Sequence, residues 1–348
     1  MKKDSFKQTG WLDVQYQSAM ERVKLLDTVE ALGIPVKYPN YSSLKYSAQD
    51  TNLFRIDIKR KTLNYIGQPS MGAAMASSGV RFYSVEEFCR IAELDFQIVP
   101  KFPVFHIPHD GWKFPDELME SVTVSNQKFM AYHEKMRDYK MNDIVPSVQR
   151  TGSHVERFEI SRLLCDVERF IGPKEPMEQY GMGFCYERAY DGKVIKTVTP
   201  ELLEKTKAYY DQHHDRMNTI ALNHSHLLLF DLHSFSDDIV PKDYLSSETK
   251  TPDVCIGTDP LYTPHALTEI IRQHLDRENI TYAENYPYSG CFIPNAVQNS
   301  KRRRNFACIM IEVNKRFYCD RNGDAIEGRL LQLRQIMEKV LVDCIGTV

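Results

Sequence analysis

Two histidines and a glutamate stand where apolar runs give way to polar residues. Leu227-Leu228-Leu229-Phe230 passes through Asp231-Leu232 into His233-Ser234. Val104-Phe105-His106-Ile107-Pro108 leads into His109-Asp110-Gly111, and Ala307-Cys308-Ile309-Met310-Ile311 ends in Glu312. Continuous apolar runs of this kind mark strands buried on both faces, and ligands of open α/β sheets collect beyond the carboxyl ends of such strands. Two imidazoles and a carboxylate gathered at one sheet edge suit a catalytic divalent metal with an open position for water. A further carboxylate outside the metal's ligands is then needed to take the water's proton and pass it to a leaving amine. Glu312 is placed for that duty, because burial after an apolar run raises a carboxyl group towards neutrality.

The elements that must position these residues are readable from Phe102 onward, where apolar strands alternate with helical patterns, the grammar of an α/β domain. Strands are expected at Val104–Pro108, Phe158–Asp166, Leu227–Leu232 and Ala307–Ile311. Thr199 is an N-cap followed by Pro200 at the first helical position, opening a helix with Leu202, Thr206, Tyr209, His213, Met217 and Ile220 on one face. Thr263-Pro264 opens another, with Leu267, Ile270 and Ile271 inward, and Leu330, Leu333, Met337 and Val340 make the closing helix amphipathic. Residues 1–95 read differently, as a small α+β domain of unassigned role, leaving 96–348 for the domain with the chemistry. Its expected parts are a helix over Asp27–Gly33 stopped by Pro35, half-buried strands Phe54–Ile58 and Thr62–Ile66, and a second helix opening with the capping box Ser84-Val85-Glu86-Glu87.

Composition narrows the function classes. With 348 residues, 42% hydrophobic content and a net charge of −3, the chain has no charge argument for nucleic acid or anionic membrane as main partner. No apolar segment approaches the length that spans a bilayer. Met1-Lys2-Lys3-Asp4-Ser5 is followed by polar residues rather than a signal-peptide core, so a cytoplasmic protein is expected. The eight cysteines form no Cys-x-x-Cys pair, which argues against a disulfide framework or a cysteine zinc site.

The motifs, in order, resemble the N-formylglutamate amidohydrolase family, relatives of the zinc carboxypeptidases and aspartoacylase. The matching segments are Ile107-Pro108-His109-Asp110-Gly111, Ser161-Arg162 with Asp166-Val167-Glu168-Arg169, Phe230-Asp231-Leu232-His233-Ser234, Ile256-Gly257-Thr258, Asn285-Tyr286-Pro287-Tyr288-Ser289-Gly290 and Ile311-Glu312-Val313-Asn314. The resemblance implies a mixed, mainly parallel sheet flanked by helices and one divalent metal, zinc. It also implies a small-molecule N-acyl amino acid as substrate, with Glu312 as general base and acid. His109 and His233 become metal ligands. The third ligand is assigned to Asp143, after the intervening helix, with Asp116 and Glu117 as nearer alternatives. A His-x-x-Glu motif would place it at the position occupied by Trp112.

Arg169 would hold the substrate carboxylate through its planar fork, and Arg162 would stand near the scissile carbonyl. His214 and Tyr288 would reach the substrate side of the site. Two departures matter: Glu168 replaces the family's usual asparagine, and Ser289-Gly290 stands where a Gly-Gly pair is usual. The added charge at Glu168 would compensate Arg169, weaken an anionic substrate or select a cationic one. A carboxypeptidase-like hydrolase of a peptide or amino-acid conjugate is therefore the second enzymatic reading, and a non-catalytic binding or regulatory protein on a decayed scaffold the third. Oligomeric state is left open, homo-oligomers included. Residues 20–95 also resemble the zinc-ribbon module of bacterial primases, without any of its cysteine or histidine ligands.

Other eye-catching residues have plainer readings. His213 lies on the apolar stripe of its helix and reads as core, while His224 and His226 read as capping or solvent-facing. The basic run Lys301-Arg302-Arg303-Arg304 reads as a solvated loop, and Asp253 and Thr258 as turn-shaping residues.

Overall fold

A computed structural model of the protein describes residues 11–16, 25, 52–57, 62–67, 82–84, 101–145, 152–224, 226–245, 250–299 and 305–347. The chain divides into two units, Met1–Val99 and Pro100–Val348. In the first, strands β1 (Trp11–Tyr16), β2 (Asn52–Asp57), β3 (Thr62–Gly67) and β4 (Phe82–Ser84) form a sheet in the order β3-β2-β1-β4. β2 pairs antiparallel with β1 and β3, and β4 runs parallel to β1. The two expected strands fall on β2 and β3, whereas β1 and β4 were not anticipated. Ser84, expected to cap a helix, ends β4. The helices expected over Asp27–Gly33 and beyond Ser84, and the basic run 301–304, lie outside the described residues.

The second unit has a six-stranded sheet in the order β6-β5-β7-β10-β8-β9. Its strands are β5 (Phe102–Ile107), β6 (His154–Arg157), β7 (His226–Phe235), β8 (Val254–Gly257), β9 (Tyr282–Glu284) and β10 (Asn305–Asn314). All neighbours are parallel except β8 against β10, so the sheet is mixed and mainly parallel. Its helices are α1 (Asp116–Met119), α2 (Asn126–Met136), α3 (Pro200–Asn223), α4 (His265–Arg277), α5 (Asn295–Gln298) and α6 (Glu327–Thr347). The Thr199 side chain accepts from Leu202 N and caps α3, with Pro200 at its first turn.

Alternation along the strands sorts the side chains into two faces. On one, Phe105, Ile107, Phe230, Leu232, Ile309 and Ile311 pack with Leu267 and Ile271 of α4 and Leu333 and Met337 of α6. Each such fully buried side chain contributes roughly 1.5–3 kcal/mol of transfer free energy. On the other, Val104, Leu227, Leu229 and Cys308 pack with Met217 and Ala221 of α3. Further along that second face the sequence turns polar. His106 pairs in register with Asp231, and Glu312 with His233, on parallel neighbours. Those four residues therefore share a face at the carboxyl-terminal half of the sheet.

The strand expected at Phe158–Asp166 is not formed. β6 precedes it, and the chain from 158 to 169 is a buried, turn-rich loop in which Ser161 O accepts from Leu164 N and Cys165 N. Leu163, Leu164, Cys165 and Val167 are apolar because they fill a second core with Phe129 and Tyr132 of α2 and Leu202 of α3. A short apolar run fits either environment. Among the described residues, no helix is long and apolar enough to cross a membrane.

Candidate active site

β5 delivers His109 two residues past its end, β7 carries His233 near its end, and Asp138 follows the last turn of α2. His109 Nδ1 lies 3.3 Å from His233 Nδ1. Asp138 Oδ2 lies 3.0 Å from His233 Nδ1 and 3.5 Å from His109 Nδ1. All three residues are buried. His109 Nε2 is 2.8 Å from Asp166 Oδ1. His233 Nε2 lies 3.0 Å from Asp231 Oδ1 and 3.3 Å from Glu168 Oε2, close enough for ion pairing though not aligned for a hydrogen bond. With the ring protons on the two Nε2 atoms, whose carboxylate neighbours can only accept, the Nδ1 lone pairs face inward beside Asp138. Two bare nitrogens and a carboxylate oxygen then converge, a donor set that calls for a cation. Zinc bonds of about 2.0–2.1 Å put tetrahedral ligands about 3.3 Å apart, and the observed separations of 3.0, 3.3 and 3.5 Å fit.

Charge around the cluster is dense. Burial and Arg162 pull the His109 imidazole down, but Asp166 and Asp138 outweigh them and raise it above its usual value. Burial opposes ionisation of Asp138, yet its contacts with the imidazoles of His109 and His233, with Arg162 beside them, hold its carboxyl well below the usual range. Glu312 differs. Burial, with Asp138 adding to it, pushes its carboxyl up to about 7 against the opposing pull of His233, Arg162 and His109.

The arginines belong to the 158–169 loop. Arg162 Nη2 donates to Asp166 Oδ2 (2.9 Å), and its Nη1 lies 3.4 Å from Asp138 Oδ1. Tyr186 also donates to Asp166 Oδ2 (2.8 Å). Arg169 Nε stays 3.6 Å from the same oxygen, beyond hydrogen-bond reach, and the side chain is about one-fifth exposed. Glu168 is 16% exposed and faces three rings, 3.6 Å from His106 Nδ1 and from His109 Nε2 as well as near His233. His214 Nε2 donates to Val167 O (2.8 Å), bracing the loop beneath Glu168. Tyr288 packs against Phe235 and Tyr244 and feels the charges of Glu312, Arg162 and Arg169, which places it beside the cluster.

Sequence reasoning missed some of this set. Asp143, expected as third ligand, instead pairs with Lys140 (3.1 Å) and Arg334 (3.2 Å). Asp116 and Glu117 lie exposed on α1, where Tyr209 donates to Glu117. Asp138 takes the place beside the histidines because its backbone N–H donates to His109 O (3.0 Å). The available signal was its position directly past the end of α2. Asp231 and His106 carried a signal too, since a two-residue period puts Asp231 on the face of His233. His106 Nδ1 is 2.9 Å from Asp231 Oδ1, and its Nε2 meets His213 Nε2 at 2.9 Å. His213, read as core, is fully buried.

The sequence profile of the N-formylglutamate amidohydrolase family matches residues 103–319. The chain belongs to this family. Among solved structures it is similar to an N-formylglutamate amidohydrolase from Ralstonia eutropha JMP134, at 16% identity and a TM-score of 0.58, covering 70% of this chain and 93% of that one. A gene product from Agrobacterium tumefaciens aligns at 17% identity and a TM-score of 0.46, over 70% and 91% of the two chains. A comparison with curated proteins returned no match. At 16% identity the likeness to the Ralstonia structure speaks for the fold, which in this N-formylglutamate amidohydrolase family member is the mixed α/β sheet described above.

Two supports of the site have measurable consequences. Lys315 is buried at the end of β10, where Nζ donates to the carbonyls of Lys135 (3.0 Å) and Arg137, pinning the turn that presents Asp138. Lys315→Met keeps the volume but strands two acceptors, each costing about 1–3 kcal/mol. A lowered Tm is expected from calorimetry and, if the three donors beside it hold a metal, titration with zinc should show affinity weakened about 10–100-fold, as for other outer-sphere changes. The second support is His133 on α2, whose Nδ1 bonds Ser161 Oγ (2.9 Å) at the start of the Arg162 turn. Burial, helped by Arg137 and Lys315, pushes this imidazole down to about 3. The unfolded chain therefore binds a proton below pH 6.5 that the folded one refuses until about pH 3, so stability is progressively lost as pH is lowered through that window. Between pH 6.5 and 5 the loss is about 2 kcal/mol. Denaturant titrations of His133→Gln should lack that component.

Proposed function

We propose that the protein hydrolyses the amide bond of an N-acyl amino acid of the N-formylglutamate type, with His109, Asp138 and His233 holding one zinc ion. The observation that carries this is the convergence of three electron-pair donors, two of them with their outer nitrogens facing carboxylates. When bound there, zinc would lower the pKa of a water molecule and polarise the acyl oxygen.

The chain's own residues supply the remainder. Glu312, with a carboxyl near neutrality, accepts the water's proton as the water attacks and then delivers it to the departing amine. Arg162, held by Asp166 and Asp138, directs its guanidinium at the charge that grows on the acyl oxygen. Arg169, with Nε unengaged, takes the substrate's carboxylate through its fork. His214 fixes the backbone of that loop, and Tyr288 bounds the substrate side of the site. Asp166 and Asp231 hold the rings of His109 and His233 in orientation.

A panel of N-formyl and N-acetyl amino acids, assayed with zinc or cobalt and with chelator, tests the reading. Turnover of N-formyl amino acids that vanishes with chelation is expected. Stoichiometric metal without turnover of any member would remove the assignment. Glu168 favours a second reading, hydrolysis of a peptide or amino-acid conjugate, because its partly exposed carboxylate adds negative charge beside Arg169. Faster turnover of dipeptides than of N-formyl amino acids in the same panel would select it.

A further inference from the structure

Lys196 is a buried lysine that the proposed hydrolysis does not use, 1% exposed. Among the described residues no carboxylate lies within ion-pairing distance of its Nζ. Instead Nζ donates to Leu164 O (3.2 Å) and to Cys185 Sγ (3.5 Å). Thr206 Oγ1 donates to the same sulfur at 3.5 Å. Cys185 is a free cysteine that keeps 7% of its surface. Cys165, which lies nearby and is fully buried, is engaged elsewhere, donating to Thr206 O at 3.7 Å. One sulfur thus receives two donors, an amine and a hydroxyl. The stronger of the two nucleophiles touching that sulfur is the Lys196 amine.

We propose that Cys185 and Lys196 form an oxidative covalent cross-link, a sulfenamide made when a peroxide oxidises Cys185. The Cys185 sulfur attacks the peroxide: an S–O bond forms, the O–O bond breaks, and the departing hydroxide takes up the thiol proton and leaves as water, giving the sulfenic acid by a two-electron oxidation. The Nζ lone pair then attacks sulfur. An S–N bond forms, the S–O bond breaks, and hydroxide departs with a proton from Nζ as a second water. The protein loses two hydrogens in all. Burial lowers the lysine's affinity for its proton, which supplies the neutral amine that the second step needs.

The location gives the link a consequence. Phe184 O accepts from Asp166 N (2.8 Å), and Tyr186 donates to Asp166 Oδ2, so the residues on both sides of Cys185 hold Asp166. Lys196 also bonds the carbonyl of Leu164 in the same loop. Cross-linking draws that support together behind His109, independently of what the site hydrolyses.

Full-length wild-type protein would be treated with dilute hydrogen peroxide, alkylated, digested with trypsin and mapped by mass. The expected product joins the Cys185 and Lys196 peptides at two hydrogens below their summed mass, resists cleavage after Lys196, and separates on adding dithiothreitol. It should persist in Cys165→Ser and be absent from Cys185→Ser and Lys196→Met. Wild-type protein alone decides the matter if a variant does not fold. Recovery of Cys185 as alkylated thiol or sulfinic acid, a Cys165–Cys185 disulfide, or a link carrying an added oxygen would each overturn the proposal.

Discussion

On the proposed zinc-hydrolase reading, Asp138→Asn is expected to leave a folded protein that no longer retains zinc or hydrolyses its substrate, whereas Asp143→Asn is expected to retain both. The contrast follows from geometry. Asp138 Oδ2 lies within 3.5 Å of both inward-facing imidazole nitrogens, while Asp143 pairs with the cations Lys140 and Arg334. An amide in place of the carboxylate removes the formal negative charge from the group of three donors proposed to hold the ion. The loss in metal affinity should exceed the 10–100-fold typical of outer-sphere changes. Metal content by elemental analysis after gel filtration, together with kcat/KM, checks it. Equal zinc content in the two variants would reverse the assignment.

Glu312→Gln acts differently. The variant binds zinc as the parent does, because the side chain lies outside the three converging donors, yet kcat falls by about 10²–10⁴-fold, the usual contribution of a positioned acid–base group. KM should change little, since Glu312 acts on the water's proton rather than on the substrate carboxylate. The amide also removes a carboxyl group that burial holds near neutrality at some cost, so Tm is expected to hold or rise. Unchanged kcat with full metal content would take Glu312 out of the chemistry.

What could be read ahead of the structure, and what could not, has a physical pattern. His109, His233 and Glu312 were visible because each closes an unmistakable apolar run, near the end of its strand or just past it, and strand ends are where α/β sheets present their ligands. Asp138 was not, because its place beside the histidines depends on a backbone bond to His109 O and on Lys315 reaching from β10, contacts separated by long stretches of chain. The same applies to Phe158–Asp166. Its apolar residues were rightly read as buried, but they fill the core beneath α2 and α3 rather than a place in the sheet. In the first unit, alternation revealed β2 and β3 but gave no sign of β1 or β4.

The pairing of Glu312 with His233, and of His106 with Asp231, has a consequence for how this chain tolerates change. A single codon inserted early in β7 would rotate every later side chain through the plane of the sheet, carrying Asp231 and His233 into the greasy layer beneath α4 and α6 while Leu232 surfaced among the imidazoles. Length variation within the protein's descendants is therefore confined to the connections, and the four polar positions must drift, if at all, without a frame slip in their strands.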